Sequence, residues 1–362
     1  SVSLDNMGAV LKAVGDWAGA RAVFEEQLEL ARELREAQPG LLEPVRDVSV
    51  SLDNMGAVLK AVGDWSGARA VFEEQLELAR ELREAQPGLL EPVRDVSVSL
   101  DNMGAVLKAV GDWSGARAVF EEQLELAREL REAQPGLLEP VRDVSVSLNN
   151  MGAVLKAVGD WSGARAVFEE QLELARELRE AQPGLLEPVR DVSVSLNNMG
   201  AVLKAVGDWA GARAVFEESL ALRRESRAAQ PGTLQPVQDL AFSLRMVVEL
   251  CESEGDLVAL GLRLEERPLR EAIFTALKDY SSAMEWVRCD LAIDRLVRGL
   301  APVEREEVPA AWYSDLLTEI ESLLAALEKV QPLPEDLSAE LVRVRRVLAE
   351  YDSPDGGETD LQ

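Results

Sequence analysis

The feature that most constrains this chain is a period. Tryptophan stands at Trp17, Trp65, Trp113, Trp161 and Trp209, methionine at Met7, Met55, Met103, Met151 and Met199, and phenylalanine at Phe24, Phe72, Phe120, Phe168 and Phe216, always 48 residues apart. Five such units occupy residues 1–240 of a 362-residue chain. A unit repeated this faithfully is expected to fold as one supersecondary element that buries its apolar face against copies of itself.

The unit beginning at Ser49 reads SVSLDNMGAVLKAVGDWSGARAVFEEQLELARELREAQPGLLEPVRDV. Val48, Leu52, Met55, Leu59 and Val62 step by four and three, which predicts a helix with one apolar stripe. Glu43 and Pro44 mark its first turn, where proline costs no hydrogen bond. Gly63 and Asp64 end it, and Asp64 is placed to cap a second helix. Ala68, Val71, Phe72, Leu76, Ala79 and Leu82 continue the helical spacing until Gln86, Pro87 and Gly88 stop it. The expectation is two helices of about 19 and 20 residues per unit, roughly 28–30 Å long, antiparallel because their connections are short. Stacked pairs give an all-α fold, an α-solenoid with a concave and a convex side.

These residues resemble a known family. Leu4, Met7, Gly8, Leu11, Ala20 and Phe24 occupy the spacing of the tetratricopeptide signature, W-x2-L-G-x2-Y followed by A-x3-F and P. The match recurs in each unit, as Leu52, Met55, Gly56, Leu59, Ala68 and Phe72 in the second. Glycine and alanine there are the small residues that let two helices approach closely. The unit departs from the family in its period, 48 rather than 34, in its proline, displaced to Pro39, and in Gln27, where alanine is usual. The extra length is about two turns per helix. The array is thus similar to the long-helix variety of kinesin light chains and of bacterial signalling proteins, where such repeats accompany regulatory ATPases or caspase-like peptidases.

The repeat fades after the fifth unit, where Ser219 and Arg223 replace a glutamine and an alanine. Residues 241–298, which keep Phe242, Leu244, Val247, Gly255 and Asp256 in register, read as a degenerate pair capping the array. Pro302 and Pro309 bracket a linker, residues 299–352 are expected to contain two more amphipathic helices, at about 310–330 and 335–351, and 353–362 is too polar to pack. Ser1 lies inside a repeat, so a longer parent protein is expected.

Composition narrows the chemistry. The chain has no histidine, the commonest general base and metal ligand. Its two cysteines, Cys251 and Cys289, form no CxxC pair and read as buried, reduced helix thiols of a cytoplasmic protein. No glycine pattern opens a phosphate-binding loop. A metal, a cofactor or an active site is therefore not expected. The net charge of -28 opposes nucleic acid and anionic membrane surfaces as partners, and Lys12, Asp16 and their equivalents interrupt every apolar run.

What remains is recognition. Units one to four differ at only two positions: Ala18 against Ser66, Ser114 and Ser162, and Asp5, Asp53 and Asp101 against Asn149, with Asn197 following in the fifth. The first reads as neutral drift at a helix cap. The second lies on the first helix, whose exposed side lines the concave groove in the related folds. Stacking turns it and its neighbours into ladders: Asn6, Asn54, Asn102, Asn150 and Asn198; Lys12, Lys60, Lys108, Lys156 and Lys204. Asparagine carries both donor and acceptor and suits the backbone of an extended peptide, which the resemblance also implies. On the second helix, Arg21 and Glu25, and Arg32 and Glu36, are i to i+4 neighbours of a solvated face. The fifth unit carries five acids and five bases, so the acidic excess lies upstream and in the tail region.

The expected function is a non-catalytic scaffold that binds a protein or peptide segment in the groove. The alternative is a sensing or autoinhibitory arm of a larger bacterial signalling or defence enzyme, a regulatory ATPase or caspase-like peptidase, whose catalytic domain lies outside this sequence. Self-association through open solenoid ends is a third expectation.

Overall fold

The computed structural model describes residues 2–255 and 258–277, with 282, 285–286, 288–290 and 292–293. It divides into two compact units, Ser1–Asp208 and Trp209–Gln362, and every regular element among the described residues is helical. The first unit holds α1 (Val2–Ala13), α2 (Trp17–Ala37), α3 (Leu42–Ala61), α4 (Trp65–Ala85), α5 (Leu90–Ala109), α6 (Trp113–Ala133), α7 (Leu138–Ala157), α8 (Trp161–Ala181) and α9 (Leu186–Ala205). Odd-numbered elements are the first, or A, helices of their repeats and even-numbered ones the B helices. No described helix is long and apolar enough to cross a membrane.

Local chemistry sets each boundary. The Asp64 carboxylate accepts from the Gly67 backbone amide at 2.9 Å, the N-cap bond expected from sequence. The Ser66 hydroxyl donates to the same carboxylate at 3.0 Å, and both bonds hold the Asp64 pKa below its ordinary value. Serine in place of Ala18 therefore adds a donor to the cap and is more than neutral drift. Val62 falls at the C-cap of α3 and is 47% exposed, so the last member of the predicted stripe takes no part in the core. Gly63 follows it at a φ of 78°, which an L side chain rarely adopts.

The A and B helices of a repeat meet at an aromatic ring. A Cβ on Gly56 would lie 2.3 Å from the ring of Phe72, and the same distance recurs between Gly104 and Phe120. Each ring is buried. Between repeats the core is aliphatic. Leu28 and Ala31 of α2, Val48 and Leu52 of α3 and Leu78 of α4 form one cluster, and Leu76, Ala79, Val93, Val96, Leu100, Leu126 and Leu130 form the next. Each internal A helix is thus sealed between the B helix before it and its own. Each buried leucine or valine stabilises that seam by about 1.5–3 kcal/mol. At α1, Met7 is 48% exposed, whereas Met55 is buried.

The second unit holds α10 (Trp209–Ala229), α11 (Leu234–Glu254) and α12 (Val258–Leu277), packed in sequence. Ser219, Arg223 and Ser226 stand where α8 has Gln171, Ala175 and Leu178. The α10–α11 seam is accordingly polar: Arg223 pairs with Asp239 at 2.5 Å and Ser219 meets Ser243 at 3.4 Å. Beyond it lies a buried ionic cluster. Glu266 accepts from Arg263 at 2.8 Å and from Arg270 at 2.7 Å, while Arg267 reaches Asp290 at 3.0 Å. Cys251 and Cys289 are buried and not joined in a disulfide, and burial raises the Cys289 pKa. The expected helices near 310–330 and 335–351, the linker before them and the tail at 353–362 lie outside the described residues.

Two outcomes follow. Gly104→Ala places a methyl against the Phe120 ring and is expected to cost about 1–3 kcal/mol, read as a lower urea midpoint. Burial raises the Asp290 pKa from 3.8 to about 7. Folded Asp290 thus keeps a proton that the unfolded chain has released, so its contribution to stability is full below pH 3.8 and is lost as pH rises to about 7. Asp290→Asn removes this dependence, measured by hydrogen exchange of α11 and α12 between pH 4 and 7.

Candidate functional site

The B helices meet solvent through ion pairs. Arg21 binds Glu25 at 2.8 Å, as expected within one helix. Arg32, expected to pair with Glu36, instead crosses to Glu74 of the next repeat at 2.6 Å, and Arg35 crosses to Glu81 at 3.2 Å. The same crossings recur as Arg80 to Glu122 and Arg128 to Glu170. Glutamates 42 or 46 residues away are brought nearer to the guanidinium by stacking. Exposed pairs of this kind contribute about 0–1 kcal/mol each.

The exposed strip of an A helix is different. In α3 it runs through the exposed Val50 and Ala61 and the half-buried Asp53, Asn54 and Ala57, at the spacing of one helix face. Asn54 donates its side-chain amide to Asp5 at 2.7 Å, Asn102 to Asp53 at 2.6 Å, Asn150 to Asp101 at 2.6 Å and Asn198 to Asn149 at 2.8 Å. Two of the predicted ladders are therefore one zipper, in which each asparagine is tied to the preceding A helix. Gln75 and Gln123, the departures from the usual alanine, lie buried behind it. Their amides reach Asp53 at 3.3 Å and Asp101 at 3.4 Å, and their Oε1 atoms have no hydrogen-bond partner. Asn6 on α1 is exposed; Asn197 on α9 is half-buried, with an unpartnered Oδ1.

The lysine ladder is also held from within. The ammonium groups of Lys12, Lys60, Lys108 and Lys156 lie 5.9, 5.7, 5.7 and 5.8 Å from the ring centroids of Phe24, Phe72, Phe120 and Phe168. Such a cation–π contact contributes about 0.5–1 kcal/mol when exposed. Partial burial lowers the Lys156 pKa. Lys204 takes the same place on α9 and is half-buried.

One row on this face was missed in the sequence. Val50, Val98, Val146 and Val194 are exposed, at 51, 55, 49 and 36%, and each stands four residues before a ladder asparagine. That offset was the available signal, since i and i+4 share a helix face. The strip thus presents amides, carboxylates and isolated apolar side chains at one spacing per repeat. Its groups can donate and accept hydrogen bonds and make small apolar contacts.

Comparison with known proteins agrees with this architecture. Tetratricopeptide repeat family models match residues 3–38, 51–86, 99–134, 147–182 and 192–226. The first unit is thus an array of tetratricopeptide repeats, folded as an α-solenoid. Among solved structures, BtubC (BKLC) from P. vanneervenii is similar over 70% of this chain and 90% of its own, with 21% identity and a TM-score of 0.55. The S. pombe nuclear import adaptor Nro1 is similar over 84% of this chain and 100% of its own, with 13% identity and a TM-score of 0.54. At these identities the likeness concerns the fold. A search of the curated proteins found no match.

The zipper makes a quantitative prediction. Asn102→Ala leaves Asp53 without its bond from the next repeat and is expected to cost about 1–2 kcal/mol. Asp101→Asn keeps an acceptor, as native Asn149 does for Asn198, and is expected to change stability by about 0.5 kcal/mol or less. Urea unfolding of both variants checks the pair.

Proposed function

We propose that the first unit is a non-catalytic interaction scaffold that binds a protein segment along the groove lined by its A helices, over the ladders Asn54 to Asn198, Asp53 to Asn197 and Lys60 to Lys204, with Asp5, Asn6 and Lys12 at the edge. The observation that carries this reading is the valine row. Four β-branched side chains, in register with four amides, stand exposed on a face that helix stacking leaves open. An isolated exposed valine needs no explanation, but a row repeated with a polar ladder is what an extended or helical segment needs: apolar contacts for affinity and amides for register.

Each ladder asparagine gives one N–H to its neighbour, which leaves its second N–H and its carbonyl oxygen to a partner. The internal bonds also hold the amides in a fixed orientation, so little side-chain entropy is lost on binding. The tetratricopeptide fold itself supports a scaffold role, because stacking leaves long open surfaces.

The valines give a cleaner test than the asparagines, whose removal also weakens the array. Val98→Gln with Val146→Gln keeps helix propensity and removes two footholds. The immobilised full chain is expected to retain specific proteins from an extract of its source organism that the double variant loses, with identical thermal unfolding of the two chains. Retention of the same proteins by both would sink the groove reading.

A further inference from the structure

The turn from the A helix to the B helix carries the tryptophan of each repeat, and capping does not explain it. Asp64 supplies the N-cap of α4 by accepting from Gly67, so the Trp65 side chain is not needed there. The indole is not sunk in the core either. Trp17, Trp65 and Trp113 are 36, 37 and 36% exposed, and Trp161 is half-buried. Three residues before each stands Val14, Val62, Val110 or Val158, and these valines, with Val206, are between 47 and 72% exposed. Consecutive turns are neighbours, since the charge of Arg21 acts on Asp64 of the next repeat, that of Arg69 on Asp112 and that of Arg117 on Asp160. Valines and tryptophans therefore form an apolar stripe along one edge of the first unit, at the ends of the A helices, whereas the Val50 row lies nearer their middle.

The stripe is large for a surface facing water. A third of a tryptophan and half of a valine expose about 80 and 70 Å². Four tryptophans and five valines then expose roughly 700 Å², more than the largest patch on most monomers, about 300–600 Å², and close to the roughly 800 Å² that each partner contributes to a standard interface. Charge does not oppose its burial against a like surface. Residues 49–96 carry nine acids and five bases, but the turn at residues 60–69 has one acid, Asp64, against Lys60 and Arg69. The opposite turn differs. Its exposed Leu89 lies within residues 81–95, which hold four acids and two bases.

From these observations we infer that a second copy of this chain covers the stripe, in a two-fold dimer that lays the A–B turns of one first unit against those of the other. A partner must match apolar groups that recur once per repeat, and the chain meets that requirement by construction. In an isologous pair each turn faces a near-identical turn, so a single fit between two turns serves the whole edge. Indoles are the groups that interfaces favour, and the valines supply apolar surface around them. The stripe shares no residue with the valine row or the asparagine ladder of the groove.

Sedimentation equilibrium of the full chain at micromolar concentration, the weak end of what such an area gives, is expected to yield twice the 39.6 kDa chain mass. Tryptophan emission is expected to move to longer wavelength on dilution, as the stripe returns to water. Val62→Gln with Val110→Gln and Val158→Gln changes three exposed C-cap side chains. This variant is expected to raise the dissociation constant at least tenfold, with unchanged thermal unfolding of the dilute monomer, while the groove variant Val98→Gln, Val146→Gln dimerises as the wild type does. A monomer at every concentration, or a dimer that the three turn substitutions leave as tight as wild type, would overturn the assignment. So would a dimer weakened equally by the groove variant, and a mass that keeps growing with concentration would overturn the closed two-fold pair.

Discussion

The ring of Phe72 can be buried only because residue 56 has no side chain. At 2.3 Å from where a Cβ would sit, that contact fixes how closely and in what rotation a B helix lies on its A helix. Rotation then decides everything outward of it. With Phe72 turned inward, Leu76, Ala79 and Leu82 of α4 are buried, and Leu76 and Ala79 meet Val93, Val96 and Leu100 of the next repeat. Val50, Asn54 and Ala57 are left on the far side of α3. The same contact that closes a repeat therefore selects the face that remains open.

Most of this was legible in the sequence because it is local. Helix spacing, the Asp64 cap, the Gly63 turn and the small residues at Gly56 and Ala68 each depend on residues within one unit, and a period of 48 states them five times. Val62 was misread because a period extends past a helix end as readily as within it; only the cap shows that the chain has already turned. The missed valines have another cause. Pattern reading treats an apolar residue as core and seeks sites among polar ones, so Val50 escaped notice even though its offset from Asn54 places both on one face.

The relations between repeats were not legible, for a physical reason. Arg32 has a glutamate four residues on, and sequence reasoning gave it that partner. An i to i+4 pair on a helix contributes only about 0.2–0.5 kcal/mol, which is too little to outweigh a second carboxylate that stacking brings to 2.6 Å. The zipper from Asn54 to Asp5 spans 49 residues, and nothing in a helix period announces it. These crossings divide the labour of the array. Aliphatic clusters supply most of the stability, exposed ion pairs add little, and the amide-to-carboxylate bonds fix the relative position of neighbouring A helices.

That division bears on how such an array can differentiate. A position in the aliphatic seam cannot change without a cavity or a clash, and the polar α10–α11 seam shows how much must change together when it does: Ser219, Arg223 and Ser226 on one side, with Asp239 and Ser243 answering from the other. A zipper position obeys a weaker constraint. It needs an acceptor oxygen of the right reach, and aspartate and asparagine supply the same atom at nearly the same distance. The fold therefore leaves the charge of each repeat's open face free to vary while the spacing of its amides is held constant. In an array of nearly identical units, that is a degree of freedom through which one repeat can differ from the next at little cost in stability.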